Sequence, residues 1–335
     1  MQKVDGRNNR IAVIVTIALI VVLAMPNRSL AQGNSRSMKY VSTRAENAAA
    51  WQAALRDSLF QILGLEDLLR IKNTIAFKPT TLRTENKGSY ILKEIEINTT
   101  PGRRMKVILT IPAKATGKLP AVVSIHGHGG KERIVYDTKT EYKGFAHELA
   151  SRNYITIAPF VSQHEVHEKG QLLMGERLFD CIRAVDFLET LSQVDTSRIG
   201  CAGLSLGGEM AMWLGGMDSR IKATVSAGFL STMDQLEHGH CMCWKFPRLR
   251  DFVDFTDIYS LIAPRPLMCQ NGILEPKGSF YVPLAREAFG EIQTIYADYK
   301  RPENLLLDVH AGEHEVDVPS LLYFFQKFLV EKPLW

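Results

Sequence analysis

Residues 198–208 read Arg198-Ile199-Gly200-Cys201-Ala202-Gly203-Leu204-Ser205-Leu206-Gly207-Gly208. An apolar, strand-like run enters the pattern G-x-S-x-G, and a helix-like segment from Glu209 to Leu214 leaves it. The spacing predicts a sharp strand-to-helix turn that exposes Ser205 at its apex, the arrangement that activates a nucleophilic serine. Flanking glycines fit such a turn, because a chain reversing within about two residues needs positions without a Cβ. So short a pattern also arises by chance. Its meaning depends on an oxyanion site before it and an acid and a histidine after it.

Outward from this turn, apolar runs alternate with helical patterns: Ala121 to Ile125, Tyr154 to Ala158, Ile199 to Ala202, Ala223 to Ala227, Pro266 to Gln270 and Leu305 to Val309. Upstream, Ile91 to Ile97 and Met105 to Ile111 flank Thr99 to Arg103 as a β-hairpin. Together they predict an α/β domain with an eight-stranded, mostly parallel sheet and helices on both faces. Between the second and third runs of the alternating series, Glu176 to Leu191 places Leu178, Cys181, Ile182, Val185, Leu188 and Leu191 on one helical face. From Ala48 to Ile71, Trp51, Leu55, Leu59, Ile62 and Leu65 recur at spacings of three and four, predicting a helical extension ahead of the sheet. The expected organisation is a signal peptide over 1–31, the extension over 32–75 and a catalytic domain over 76–335, with Ser231 to Leu261 as a loop insertion.

The signal peptide rests on Lys3, Arg7 and Arg10 ahead of an apolar stretch from Ile11 to Met25, then Pro26 and the small-x-small site Ser29-Leu30-Ala31. Cleavage after Ala31 would make the protein secreted or periplasmic. The apolar stretch, about 15 residues, falls short of the roughly 18 to 20 that span a bilayer, so no stable membrane association is expected after cleavage. Without residues 1–31 the formal charge falls from +4 to +1, which gives no reason to expect nucleic acid. The 46% hydrophobic and 23% charged content is ordinary for a globular chain. Five cysteines, an odd number, do not make a disulfide framework. Cys181, Cys201 and Cys269 read as small core hydrophobes. His238, His240, Cys241 and Cys243 offer imidazole and thiolate within six residues, but on one short loop instead of two arms, so a pocket-mouth loop is expected there and no metal.

In a doubly wound sheet, functional groups gather beyond the carboxyl ends of the strands. There the third strand leads into His126-Gly127-His128-Gly129-Gly130, whose backbone N–H groups can face a developing oxyanion. Glu275 follows the seventh strand and its Asn271-Gly272. The loop His310-Ala311-Gly312-Glu313-His314 follows the eighth. Ser205, Glu275, His314 is the nucleophile, acid, base order of the α/β-hydrolase fold. His310 competes with His314 as base, and Asp234 with Glu275 as acid. His164 and His167 read as exposed loop residues, Glu209 as a complement to a helix dipole, and Asp195 with Arg198 as a turn or salt bridge.

Five stretches carry a resemblance: HGHGGK at 126–131, LMGERLFDCIRAVDFL at 173–188, VDTSRIGCAGLSLGG at 194–208, IAPRPLMCQNG at 262–272 and GEHEV at 312–316. The pattern is similar to secreted α/β-hydrolases grouped with dienelactone hydrolases and acetyl-xylan-type esterases, over about residues 90 to 330. The resemblance implies Ser205 as nucleophile, His314 as base and the position of Glu275 as acid, where the family usually carries aspartate. The oxyanion donors would be the N–H groups of Leu206 and His128. It implies a serine esterase acting through an acyl-enzyme on short-chain, acetyl-type esters of carbohydrates or similar small esters, with no metal or organic cofactor. A serine peptidase or dienelactone-type hydrolase is the enzymatic alternative; a non-catalytic binding protein on the same fold is the alternative of another kind.

Overall fold

The computed structural model describes residues 36–331 apart from Thr43 and Ala115, so the expected signal peptide lies outside the described residues. The alternating runs become strands β1 (Thr80–Asn86), β2 (Tyr90–Asn98), β3 (Arg104–Pro112), β4 (Leu119–Ile125), β5 (Ile155–Pro159), β6 (Val194–Leu204), β7 (Ile221–Ala227), β8 (Leu267–Gly272) and β9 (Leu305–His310). They form one sheet in the order β1-β2-β3-β5-β4-β6-β7-β8-β9. The first three strands and the β3–β5 pair are antiparallel, and the rest are parallel. Among the described residues there are nine strands, one more than expected. The addition is β1, an edge strand that pairs only with β2 and is exposed along nearly its whole length. Its residues therefore show none of the apolar alternation that marks a strand with one face on a core.

The helices among the described residues are α1 (Ala45–Ile62), α2 (Glu66–Ile71), α3 (Phe145–Ser151), α4 (Leu173–Glu189), α5 (Leu206–Met217), α6 (Met233–Leu236), α7 (Leu249–Phe252), α8 (Phe255–Ser260), α9 (Val282–Asp298) and α10 (Val318–Phe325). One apolar layer joins α1, α4, α5, α8 and α9 on one face of the sheet, and a smaller one joins α3 and α10 on the other. The span 231–261 is not a plain loop: it holds α6, α7 and α8, whose Met233, Leu236, Leu249, Phe255 and Ile258 are buried in the larger layer.

The predicted run from Ala48 to Ile71 is two helices, α1 and α2. Gly64 takes φ +68° between them, the Leu65 N–H donates to Phe60 O at 3.0 Å, and the Gly64 N–H donates to Gln61 O at 3.0 Å. This left-handed cap closes α1 by satisfying its last carbonyls. The extension belongs to the same compact unit as the sheet. Gln52 Nε2 donates to Ser260 O at 2.8 Å and Ala263 O at 2.7 Å, and Arg56 Nε donates to Gly216 O at 2.8 Å. Thus α1 supplies donors to carbonyls at the ends of α8 and α5, which their own helices leave open.

Candidate active site

β5 lies on one side of β4 and β6 on the other, so the chain reverses its winding at the β4–β6 boundary. Ligand crevices form at such switch points. Ser205 follows β6, the His126–Gly130 turn follows β4, and the two strands end in register at Ile125 and Gly203. Ser205 itself takes φ +61° and ψ −124°, a strained backbone for a residue with a Cβ, and its N–H donates to Ala227 O at 2.9 Å. The flanking glycines serve close approach rather than positive φ. A Cβ on Gly203 would lie 2.2 Å from Gly207 O, and one on Gly207 would lie 2.2 Å from Ile125 O. The helix start is thereby pressed onto the end of β4.

Two features aim the turn after β4. The Tyr142 hydroxyl accepts from the Gly127 N–H at 2.6 Å, and a Cβ on Gly127 would lie 3.1 Å from the Ser205 Cβ. The fully buried His126 accepts the Val161 N–H on Nε2 at 3.2 Å, so its proton sits on Nδ1 and donates to Gly127 O at 3.0 Å. Burial pushes this imidazole down to about 4, which keeps it neutral and structural. Gly127 is followed by His128. Leu206 opens α5, where the first N–H groups have no partner in their own helix and are available to a negative charge.

On the other side of Ser205, His314 Nδ1 and Glu275 Oε1 are 2.8 Å apart; the Glu275 side chain is 1% exposed and that of His314 35%. Glu275 Oε2 accepts from Ser279 Oγ at 2.9 Å and from the Phe280 N–H at 3.4 Å. The loops that carry the pair are tied together: Ile273 N–H donates to His310 O at 2.9 Å, and Leu274 N–H to Gly312 O at 3.1 Å. The Phe280 ring stacks on His314 with centroids 5.4 Å apart. Next to the Ala227 carbonyl that holds Ser205, Gly228 takes φ +57°, and a Cβ there would lie 2.7 Å from His314 Cε1. Glu275 and His314 therefore form one pair, and the Ala227–Gly228 segment that holds the Ser205 N–H also packs against the His314 ring.

Their rivals are not. Asp234 is 75% exposed and ion-paired with Arg250. His310 closes β9, and its Nδ1 accepts from the Gly312 N–H at 3.3 Å.

The four residues of the 238–243 loop do not assemble as a group. His240 Nε2 donates to Gly278 O at 2.8 Å and its ring lies 5.4 Å from that of Phe280. Cys241 and Cys243 are free thiols that meet His164 and His128 instead. His164 is exposed, as expected, yet not solitary. Cys181, Cys201 and Cys269 are buried and unpaired, and Arg198 bridges Asp195 at 2.7 Å. Glu209 is buried in the first turn of α5, and burial pushes its carboxyl up to about 8, partly offset by Arg177 and Trp213. Tyr142, Phe280 and Arg177 escape a reading by sequence because their roles depend on chain segments 15 or more residues away in the first and third cases, and on a stacked ring in the second.

The acetyl xylan esterase (AXE1) family profile matches residues 63–238. YtaP of Bacillus subtilis (strain 168), named as a hydrolase, is 27% identical over 248 residues, 66% of this chain and 81% of YtaP. The methylesterase BT1017 shares the fold at a TM-score of 0.71 and 19% identity, over 87% of this chain and 66% of that one. The acetyl xylan esterase from Paenibacillus sp. R4 does so at 0.58 and 17%, over 88% of this chain and 99% of that one. With more than half of its length matched by the family profile, this chain belongs to the acetyl xylan esterase family and is a carboxylic ester hydrolase.

Proposed function

We propose that the protein is an exported serine esterase that removes short acyl groups, acetyl above all, from carbohydrate or similar small esters through an acyl-enzyme. The observation that carries the mechanism is the 2.8 Å His314–Glu275 pair set beside the strained Ser205 turn. The family match supports the acetyl preference and covers Ser205 and the oxyanion turn; Glu275 and His314 lie beyond it and rest on geometry. Export rests on the N-terminal pattern ending at Ala31.

A Glu275 carboxylate facing Nδ1 keeps the His314 proton on that nitrogen, so Nε2 carries the lone pair. His314 Nε2 takes the Ser205 proton as Oγ attacks the ester carbonyl, and Glu275 stabilises the imidazolium that forms. The Leu206 and His128 N–H groups hold the oxyanion, each worth about 2.7–4 kcal/mol. The imidazolium then protonates the leaving alcohol, and water, activated by the same nitrogen, cleaves the acyl-enzyme.

Incubation with a fluorophosphonate probe tests the nucleophile. The expected result is labelling at Ser205 and a fall of about 10⁶-fold in p-nitrophenyl acetate turnover for Ser205→Ala. A folded, unlabelled wild-type chain would favour the non-catalytic binding protein. A panel of acetylated xylo-oligosaccharides, methyl esters and lactones reads the acyl and alcohol preference, with acetyl esters expected to be turned over fastest.

A further inference from the structure

We propose that His128, His164, Cys241 and Cys243 bind one zinc ion, tying the oxyanion turn to the two loops that border it. The four residues come from three segments: the turn after β4, the loop after β5 and the loop between α6 and α7. Their ligand atoms all lie within 4.8 Å of one another. His128 Nε2 stands 3.0 Å from Cys243 Sγ, and Cys241 Sγ stands 3.5 Å from His164 Nε2.

A tetrahedral ion with Zn–S near 2.3 Å and Zn–N near 2.0–2.1 Å requires ligand atoms about 3.3 to 3.8 Å apart. The two contacts already bracket the lower part of that range. The longest separation, at most 4.8 Å, needs to close by about 1 to 1.5 Å, within a rotamer adjustment of side chains of which three are exposed. Two thiolates and two neutral imidazoles form a charge-matched set for a divalent ion, and sulfur ligation selects zinc over magnesium or calcium. An outer partner is also in place: Arg177 Nη1 donates to Cys243 Sγ at 3.3 Å, the kind of hydrogen bond that orients a metal thiolate. His128, His164 and Cys241 are exposed, so an ion has a path in from solvent.

Binding exchanges the two thiol protons, released to solvent, for the ion, and involves no redox step. With all four positions taken by protein the site is closed, so its role is structural and not Lewis-acid chemistry. Its link to turnover rests on the proposed role of the His128 N–H; the ion binding itself does not.

Cobalt substitution of the full mature chain, reduced and freed of metal with a chelator, tests the site. The expected result is a single equivalent of Co²⁺ giving thiolate charge-transfer and strong tetrahedral d–d bands, bleached by one equivalent of Zn²⁺. His164→Asn and Cys241→Ser each weaken Co²⁺ binding at least tenfold. The proposal is overturned if the folded wild-type chain gives no such bands, if the bands survive in both variants, or if Cys241 and Cys243 are isolated as a disulfide that excludes the ion. Fluorophosphonate labelling of Ser205 is read on the same samples, so loss of the metal site and loss of the esterase mechanism are separable outcomes.

Discussion

The two sides of Ser205 are built on different principles. On the acid–base side, both Glu275 oxygens have partners, the loops after β8 and β9 are joined by backbone hydrogen bonds, and Phe280 fixes the His314 ring. On the side of the turn after β4 the backbone is just as firmly held, by Tyr142 and His126, but the outer side chains come from three segments and three of the four are exposed. A group that must present one nitrogen at one angle is best locked by neighbours, since a misplacement of about 1 Å can cost 10²-fold in rate. The imidazoles and thiols on the rim are the set that the proposed zinc ion would lock. The difference teaches where rigidity is internal and where it is expected to come from a ligand.

The contrast breaks most visibly at Glu275. Replacing it by Gln is expected to lower kcat for p-nitrophenyl acetate by about 10⁴-fold, as loss of the tautomer-setting carboxylate does in triads generally. Asp234→Asn should leave kcat within about twofold, a change of under 0.5 kcal/mol. The opposite pattern would move the acid to α6.

A smaller effect is expected from pH at His126. Its imidazole, held neutral by burial with a value of about 4, titrates near 6.5 in the unfolded chain. Between those limits the unfolded chain binds more proton. Stability is therefore full above about pH 6.5 and falls as the pH drops toward 4, by up to about 3 kcal/mol. Asp180, pushed up to about 6 by burial against the pull of Arg103, acts in the opposite sense between pH 6 and 3.8. Urea unfolding of wild type and His126→Gln at both pH values isolates the histidine: the variant should show the shallower loss on acidification.

Gly228→Ala sharpens the lock on His314. The new methyl would meet Cε1 at 2.7 Å on a backbone of φ +57°, so kcat is expected to fall by about 10²-fold while KM moves little. Tyr142→Phe is the mildest. It leaves the buried Gly127 N–H without its acceptor, at a cost of about 1–3 kcal/mol in unfolding free energy, and should slow acylation without abolishing it.

Much of the site was legible because strand ends announce themselves. Apolar runs set β4, β6, β8 and β9, and whatever polar residue follows each run stands at the crevice. Ser205, Glu275 and His314 all stand there. Asp234 does too, since it also follows a strand; what separates it from Glu275 is burial and the partners of each carboxylate. His238 and His240 are neighbours of the cysteines in the chain, whereas the fold turns Cys241 and Cys243 toward His164 and His128, 77 and 115 residues away. β1 stayed hidden for a related reason: a strand whose only neighbour is one edge has no core to write a pattern into its side chains.

By itself the amino-acid sequence determined the α/β class, the strand-to-helix turn at Ser205 and the placing of Ser205, Glu275 and His314 after successive strand ends, because local periodicity and glycine spacing are properties of neighbouring residues. Tertiary structure alone decided which carboxylate faces His314, that Tyr142 and His126 hold the turn after β4, and that two histidines and two cysteines from three loops converge on its rim. Those are distances between segments far apart in the chain, and no local pattern encodes them.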